Sequence, residues 1–523
     1  MKSRPLRLRV IAVAPVFAVI ALLCWAFASP IGSSPDDDFH LASIWCSGGE
    51  QASECESTSD SNERRIPESL ANADCYSYQP EESAACQRLS AATVLESTER
   101  GDFAGLYPPV FYWTMNHFAS VHIEQSAMAM RLVNILLLVG IASALFALLP
   151  SHRRIPFVWG LVITSVPLGM FLVASNNPSA WAIISAGTLW VALLGYFEST
   201  GWRKAALAGL AVLAAVIGAG ARADAGVYSV VAVLAVCMIT ARWNREWVVS
   251  CLVPLIVVGI SVFFYFSASQ SASALSGLGS GGSADSPLSF QNLLVLNLLE
   301  VPNLWVGVFG LWDLGWLDTQ LPAVVWVAAF SVFVALVFSG FRWQSTRKIL
   351  AAVMVLAAMW VVPTYILVQS GVLVGSQVQP RYILPLIILF AGLGLLSVKG
   401  TTFRLSATQI ILAVVGLSVA NSLALHFNIR RYVTGTDVIG WNLNDGAEWW
   451  WDAPFSPMFV WVVGSIVYAA FLIAVGWTTD RQSLSHTSNL SRPNASHHPS
   501  LSPITPIANR GPDVHDDDVL STP

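Results

Sequence analysis

The stretch Val10 to Ala28, VIAVAPVFAVIALLCWAFA, decides what kind of fold this chain can adopt. It follows Lys2, Arg4, Arg7 and Arg9 and holds no Asp, Glu, Lys, Arg or His of its own. At 1.5 Å per residue a helix of this length reaches across most of a hydrocarbon core roughly 30 Å thick. A basic flank before an apolar run also marks a signal peptide, and Ala26-Phe27-Ala28 has the small-residue pattern of a cleavage site. We read it as a retained span, because the functional reading below needs the residues that follow it tethered at the membrane.

Working outward, the same pattern recurs at Leu132 to Leu149, Ile155 to Ala174, Pro178 to Tyr196, Ala205 to Gly220, Ala225 to Thr240 and Trp247 to Phe266. It continues at Leu321 to Phe338, Ile349 to Val368, Ile383 to Val398, Ala407 to Leu425 and Met458 to Val475. The expected fold is therefore an all-α transmembrane bundle of about twelve spans, occupying residues 1–477. Composition agrees: 55% of the 523 residues are hydrophobic and only 11% charged, with a mean hydropathy of +0.61. Soluble domains carry about 25% charged residues. The 21 Trp and 25 Phe supply aromatic anchors for two interfaces. A net charge of -5, small and spread out, gives no footprint for nucleic acid.

Charge orients the bundle. With the amino terminus inside, the short inner connections hold Arg153 and Arg154, Arg203 and Lys204, Arg242 and Arg245, then Arg342, Arg347 and Lys348, then Lys399 and Arg404, and finally Arg481. Basic residues in every inner loop satisfy the positive-inside rule, whereas one missed span would invert all that follows. Both termini are thus expected in the cytoplasm, with the chain in the plasma membrane. Three outer segments have content: 29–128, 267–320 and 426–457. Ser271 to Ser286 reads as a flexible Gly/Ser linker. Leu293 to Phe309, broken by Glu300, Pro302 and Asn303, reads as a re-entrant or interfacial piece. The polar tail, 478–523, cannot bury a core and is expected to be disordered.

Seven cysteines divide by context. Cys24, Cys237 and Cys251 lie in apolar runs, while Cys46, Cys55, Cys75 and Cys86 share the first outer loop. Four cysteines allow three pairings, and nearest neighbours (Cys46 with Cys55, Cys75 with Cys86) are the simplest. No metal-ligand spacing is present, and an extracytoplasmic loop favours disulfides over zinc.

Several motifs can carry chemistry. Ser34-Pro35-Asp36-Asp37-Asp38-Phe39-His40 follows the first span. Ser34 suits an N-cap and Pro35 a first helical position, which gathers Asp36, Asp37 and His40 near one helix face. Carboxylates beside an imidazole can take a proton from a hydroxyl, although acids also favour helix starts for electrostatic reasons alone. Tyr107-Pro108-Pro109-Val110-Phe111-Tyr112-Trp113 suggests an interfacial helix, or a plain aromatic anchor. Arg222, Arg381, Arg430 and Arg431 stand on the outer side against the charge rule. A guanidinium fork suits a phosphate, and the ordinary alternative is a snorkelling side chain. Trp441, Trp449, Trp450 and Trp451 suit an interface belt or a sugar-stacking surface. In Asn176-Asn177-Pro178-Ser179, Pro178 at a helix start is explanation enough. Asp318 is either a helix-start acid or a site residue.

As a set, the acidic pair, the Tyr-Pro-Pro segment, the Asn-Pro-Ser turn and the helix start Gln379-Pro380-Arg381-Tyr382, with Pro385, resemble a family. It is a bacterial polytopic membrane family of unknown function, itself similar to the GT-C glycosyltransferases that use polyprenyl-phosphate sugars. The similarity runs from about Pro30 to Pro385. It implies an active site at the outer face, with Asp37 or Asp36 as catalytic base and Arg381 on the lipid phosphate. Arg222, His40, Tyr107, Gln379 and Asp318 are further substrate-binding candidates. Asp38 stands where that branch is expected to have proline, and the large soluble carboxy-terminal domain of several GT-C enzymes is missing. The implied partners are a lipid-linked sugar donor, an envelope glycan or lipid acceptor, and membrane lipids. No cofactor is demanded, and a divalent metal stays open. The alternative is a transporter or flippase of an envelope precursor. Such a protein should place ionisable residues at mid-membrane between broken helices, and here they gather at the outer face.

Overall fold

The computed structural model describes residues 4–48, 54–87, 94–269, 288–342, 345–376, 378–397 and 403–490. The Gly/Ser linker, Gln377 and the tail beyond 490 lie outside the described residues. Ten helices are long and apolar enough to cross a membrane, and two shorter apolar ones, Val13–Phe27 and Pro380–Leu395, accompany them. One expected span is broken: helix Ser151–Ser165 stops before Pro167, which has no N–H to continue the ladder, and Leu168–Val173 resumes. Nine of the ten, the two shorter helices and this broken pair make the twelve expected passes among the described residues.

The tenth long helix covers the piece expected to be re-entrant or interfacial. Phe290–Val306 carries Asn297, which donates to Val372 O at 3.0 Å and accepts from Val374 N at 3.0 Å, beyond the end of helix Thr346–Gln369. It then descends, with Trp305 donating to Met359 O and Phe309 packed on Phe330 and Phe333. At Gly310, where φ is +106°, the chain turns back. Trp316 donates to Gly32 O at 2.8 Å, so the segment ends at the same end of the bundle as the first loop.

Burial grades the helices. Ser179–Glu198 is 89% buried across its apolar window and forms the centre, whereas Arg245–Ser267 is 22% buried and presents its apolar surface outward. A helix apolar all round needs either protein or lipid on every side. The last helix, Pro457–Leu490, runs past Asp480 into the expected disordered tail. Extending a formed helix needs no new nucleus.

Polar side chains collect at the two ends of the bundle. At the end away from the first loop, buried Lys348 donates to Gly340 O at 2.8 Å, Gly394 O at 2.7 Å and Leu396 O at 2.7 Å. It thereby satisfies carbonyls that two helix ends leave without partners. Those helices meet so closely that a Cβ on Gly340 would collide with Gly394 O. Nearby, Arg153 joins Glu198 at 2.6 Å and Ser397 O at 2.8 Å.

At the opposite end lies the first loop. Disulfides Cys46–Cys55 and Cys75–Cys86 close it, the nearest-neighbour pairing. Strands Glu56–Ser57, Arg64–Pro67 and Leu95–Thr98 form a small antiparallel sheet, and helix Val110–Asn116 buries Phe111, Tyr112 and Met115 against the bundle.

Candidate functional site

The acidic motif folds differently from its expected cap. The helix runs Asp37–Cys46, with Asp36 as its N-cap in the left-handed region at φ 65°. Asp37 reaches back to accept from Ser34 N at 3.1 Å and from Ser34 Oγ, while its own N–H donates to Ser34 O. That tight turn keeps Ser34 and Pro35 out of the helix. Asp37 is fully buried, and the turn projects Asp36, with a side chain 39% exposed, towards a cleft.

Arg381 meets it from the first turn of Pro380–Leu395. Its Nη1 donates to Pro35 O at 2.7 Å, and its Nη2 donates to Asp36 and to Tyr382 Oη at 3.0 Å. Arg222, in the turn between two helices, is held by Asp224 through bonds of 3.0 and 2.9 Å. Both guanidiniums lie 5.0 Å from the centre of the Tyr382 ring, and Arg222 is 5.7 Å from that of Tyr107. His40 bonds Tyr112 Oη through Nδ1 at 2.9 Å and packs edge-on against Tyr107. Pro35, Phe171, Trp312, Leu317, Gln379 and Arg381 line the cleft. The structure thus brings together Asp36, His40, Tyr107, Arg222, Gln379 and Arg381.

Electrostatics separates the two acids. Burial opposes ionisation of Asp36, but Arg381 and Arg100 outweigh it and hold the carboxyl at about 2. Burial pushes Asp37 up to about 6 against its bonds from Ser34. Burial also drives His40 well below its usual value, so the ring is neutral, and lifts Tyr107 to about 12. Asp38 takes a two-pronged grip from Arg100 at 2.7 and 3.0 Å, and Arg100 stands 3.7 Å from Asp36.

Four buried polar atoms around this cluster have no partner within the protein: His40 Nε2, Gln379 Oε1, Arg222 Nη1 and Arg381 Nε. Leaving a buried donor or acceptor bare costs about 1–3 kcal/mol each. Spare donors on two guanidiniums suit an anion with several oxygens. Among the described residues no group of His, Cys, Asp and Glu is arranged to hold a metal ion.

The cluster is held from behind by residues whose role the sequence reading missed. Arg131, fully buried, donates to Ala26 O, Ser29 O and Pro30 O at 2.6 to 2.7 Å and to Asn176 Oδ1 at 3.0 Å. Asn177 donates to Pro35 O at 2.8 Å and Ser34 Oγ at 3.2 Å. Pro178 is therefore not the whole explanation of the Asn-Asn-Pro-Ser turn. A signal for Arg131 existed, since it heads an apolar run on the side where the charge rule disfavours arginine. Arg100 sits in a polar loop and gave none.

Asp318 is not among the cluster's contacts. It pairs with fully buried Arg431 at 2.8 Å, and Arg431 also donates to Tyr76 O and Glu82 O, fastening the disulfide loop to the bundle. Arg430 caps Gly440 O and Asn442 O. Trp451 donates to Phe27 O and is mostly buried, while Trp441 is 62% exposed.

A family model described as "Predicted membrane protein (DUF2142)" matches residues 19–390, which include Asp36, Arg222 and Arg381. No curated protein and no solved structure matches.

Proposed function

The chain belongs to this predicted membrane protein family, and we propose that it is a membrane glycosyltransferase of the GT-C kind, moving a sugar from a polyprenyl-phosphate donor to a cell-envelope acceptor. The observation that carries this reading is the pairing of half-buried, ionised Asp36 with buried Arg381, beside a second guanidinium that has a spare N–H.

Arg381, with Arg222, grips the donor phosphate. Asp36 accepts the proton of an acceptor hydroxyl as that oxygen attacks the anomeric carbon. The bond from that carbon to the phosphate oxygen breaks, and its electron pair leaves on the polyprenyl phosphate. A carboxylate held at about 2 is a weak base. A phosphate that draws Arg381 towards itself removes that restraint and adds like charge beside Asp36, so donor binding strengthens the base. Preorganised donors aimed at a departing phosphate supply several kcal/mol of barrier lowering. Asp37, locked to Ser34, positions Asp36 and does not meet substrate.

We assign the loop-bearing end to the extracytoplasmic side of a bacterial plasma membrane, with both termini cytoplasmic. Supporting this, Arg153, Arg347 and Lys348 gather at the other end, and the disulfides occupy the loop. The test is to give purified protein in lipid a panel of radiolabelled polyprenyl-phosphate sugars with envelope glycan extracts. Label should pass to glycan with wild type and not with Asp36→Asn. Donor that crosses the bilayer unchanged, with no labelled glycan, would instead make the protein a flippase.

A further inference from the structure

Three non-glycine residues with left-handed backbone are tied to one cleft: Leu317 at φ 62° lines it, Asp36 at φ 65° bonds Arg381, which also lines it, and Tyr78 at φ 59° packs on Trp316, the neighbour of Leu317 in the chain. An aromatic residue rarely accepts that region, and where it does the surrounding structure must hold it there. The surroundings of Tyr78 do so. It lies inside the ring closed by Cys75–Cys86. On one flank the Tyr76 carbonyl accepts from Arg431 at 2.9 Å, and on the other Thr436 N donates to Pro80 O at 2.9 Å.

This rigid segment does not bury the ring. Tyr78 is 70% exposed, resting edge-on against nearly buried Trp316 with ring centres 5.5 Å apart. Trp316 in turn donates to Gly32 O, just ahead of the acidic turn. The phenol is close enough to feel the charges of Asp36, Arg100, Asp38 and Arg381. A strained backbone thus displays an open aromatic face beside the cleft, and packing gives no reason for it. Aromatic faces carry partial negative charge and attract polarised C–H groups, of which a sugar ring has a full face.

We infer that Tyr78, braced by Trp316, is a stacking platform for a carbohydrate ring next to Asp36. This rests on the glycosyl-transfer reading and adds a sugar subsite to its phosphate grip. The ring belongs to the donor or to the acceptor.

Saturation-transfer NMR on the full chain in lipid nanodiscs, with methyl glycosides of glucose, galactose, mannose and arabinofuranose as probes, tests it. At least one glycoside should receive saturation on one ring face. Tyr78→Phe keeps the effect, and Tyr78→Asn, a residue that tolerates left-handed backbone, weakens binding roughly tenfold with unchanged or higher melting temperature. If Tyr78→Asn also weakens polyprenyl-phosphate mannose but not sugar-free polyprenyl phosphate, the ring is the donor's. If it weakens only the free glycosides, the ring is the acceptor's. No transfer to any glycoside in wild type, or equal transfer in Tyr78→Asn, overturns the platform. The glycosyl-transfer reading fails separately, through sugar-free polyprenyl phosphate that binds wild type and Arg381→Ala alike.

Discussion

Arg381 and Asp36, 345 residues apart in sequence, meet through a charge-assisted hydrogen bond while the same guanidinium also holds the carbonyl of Pro35. One side chain therefore joins the first turn of a late helix to the loop after the first span.

That fork makes a prediction that separates grip from anchor. Lysine in place of Arg381 keeps a long cation but cannot donate in two fixed directions. Losing one charge-assisted bond costs about 1.5–3 kcal/mol, roughly ten- to a hundredfold in donor affinity or rate. Arg381→Lys should insert normally and bind polyprenyl phosphate more weakly by that factor, with Arg381→Ala weaker still. Equal donor affinity in wild type and both variants would leave Arg381 as a helix anchor only.

The two acids should part company when each becomes its amide. Asp36→Asn removes a half-buried carboxylate that faces Arg381 and should lower transfer by at least about a hundredfold, with little change in accumulation. Asp37→Asn keeps groups able to bond Ser34 and should retain most of the activity. A reversed order, measured as labelled glycan formed per unit of protein, would move the base to Asp37.

Asp37 also leaves a mark on stability. Its folded value, about 6 against 3.8 when free, means that the native state binds the proton more tightly than the unfolded state does. Its stabilising protonated form is fully present below about pH 3.8, and that contribution is lost as pH rises through about 6. Two pKa units correspond to roughly 3 kcal/mol. Thermal denaturation of Asp37→Asn should therefore show a smaller decline than wild type between pH 4 and 6, and parallel curves would contradict this. Asp36 works in the other direction, stabilising above about pH 3.8 and losing that effect as pH falls through about 2.

Arg131 should behave as a positioning residue. Arg131→Met leaves three buried carbonyls without their donor, each worth about 1–3 kcal/mol. A lower melting temperature is expected, together with weaker donor binding, because the chain entering Asp36 loses its fastening. Arg131→Lys should restore only part of both. A melting temperature equal to that of wild type would show that the carbonyls find water instead.

Sidedness is checked by cysteines placed at Asp60 and Arg203 in a chain lacking Cys24, Cys237 and Cys251. A reagent that does not cross membranes should modify the first from outside intact cells and not the second. Labelling of both positions, or of Arg203 alone, would break the alternation of the passes.

Much of the architecture was legible because lipid leaves few choices. A long apolar run must hydrogen-bond to itself, so the helical passes and the loop disulfides could be read in order. The broken pass at Pro167 was not visible as a break, since its apolar run continues to either side. The site was legible in its parts: Asp36, Arg381, Arg222 and His40 all stood in short recognisable motifs. Their arrangement was not. Whether Asp36 or Asp37 faces outward depends on a turn in which Asp37 bonds back to Ser34, and the sequence is equally compatible with Pro35 opening the helix. Arg131 and Asn177 act on carbonyls of distant residues, and backbone acceptors leave no trace in side-chain patterns.

The helix Pro380–Leu395 has only 16 residues, about 24 Å, where the hydrocarbon core is roughly 30 Å thick. Its far end is fixed among the carbonyls bound by Lys348, so the shortfall falls at the end that carries Arg381. In the proposed orientation the guanidinium would lie below the surrounding headgroups. On the glycosyl-transfer reading, a lipid-borne phosphate would reach it while its tail stays in the bilayer, and the work of lifting that tail out, about 0.8 kcal/mol for every methylene exposed to water, would not have to be done.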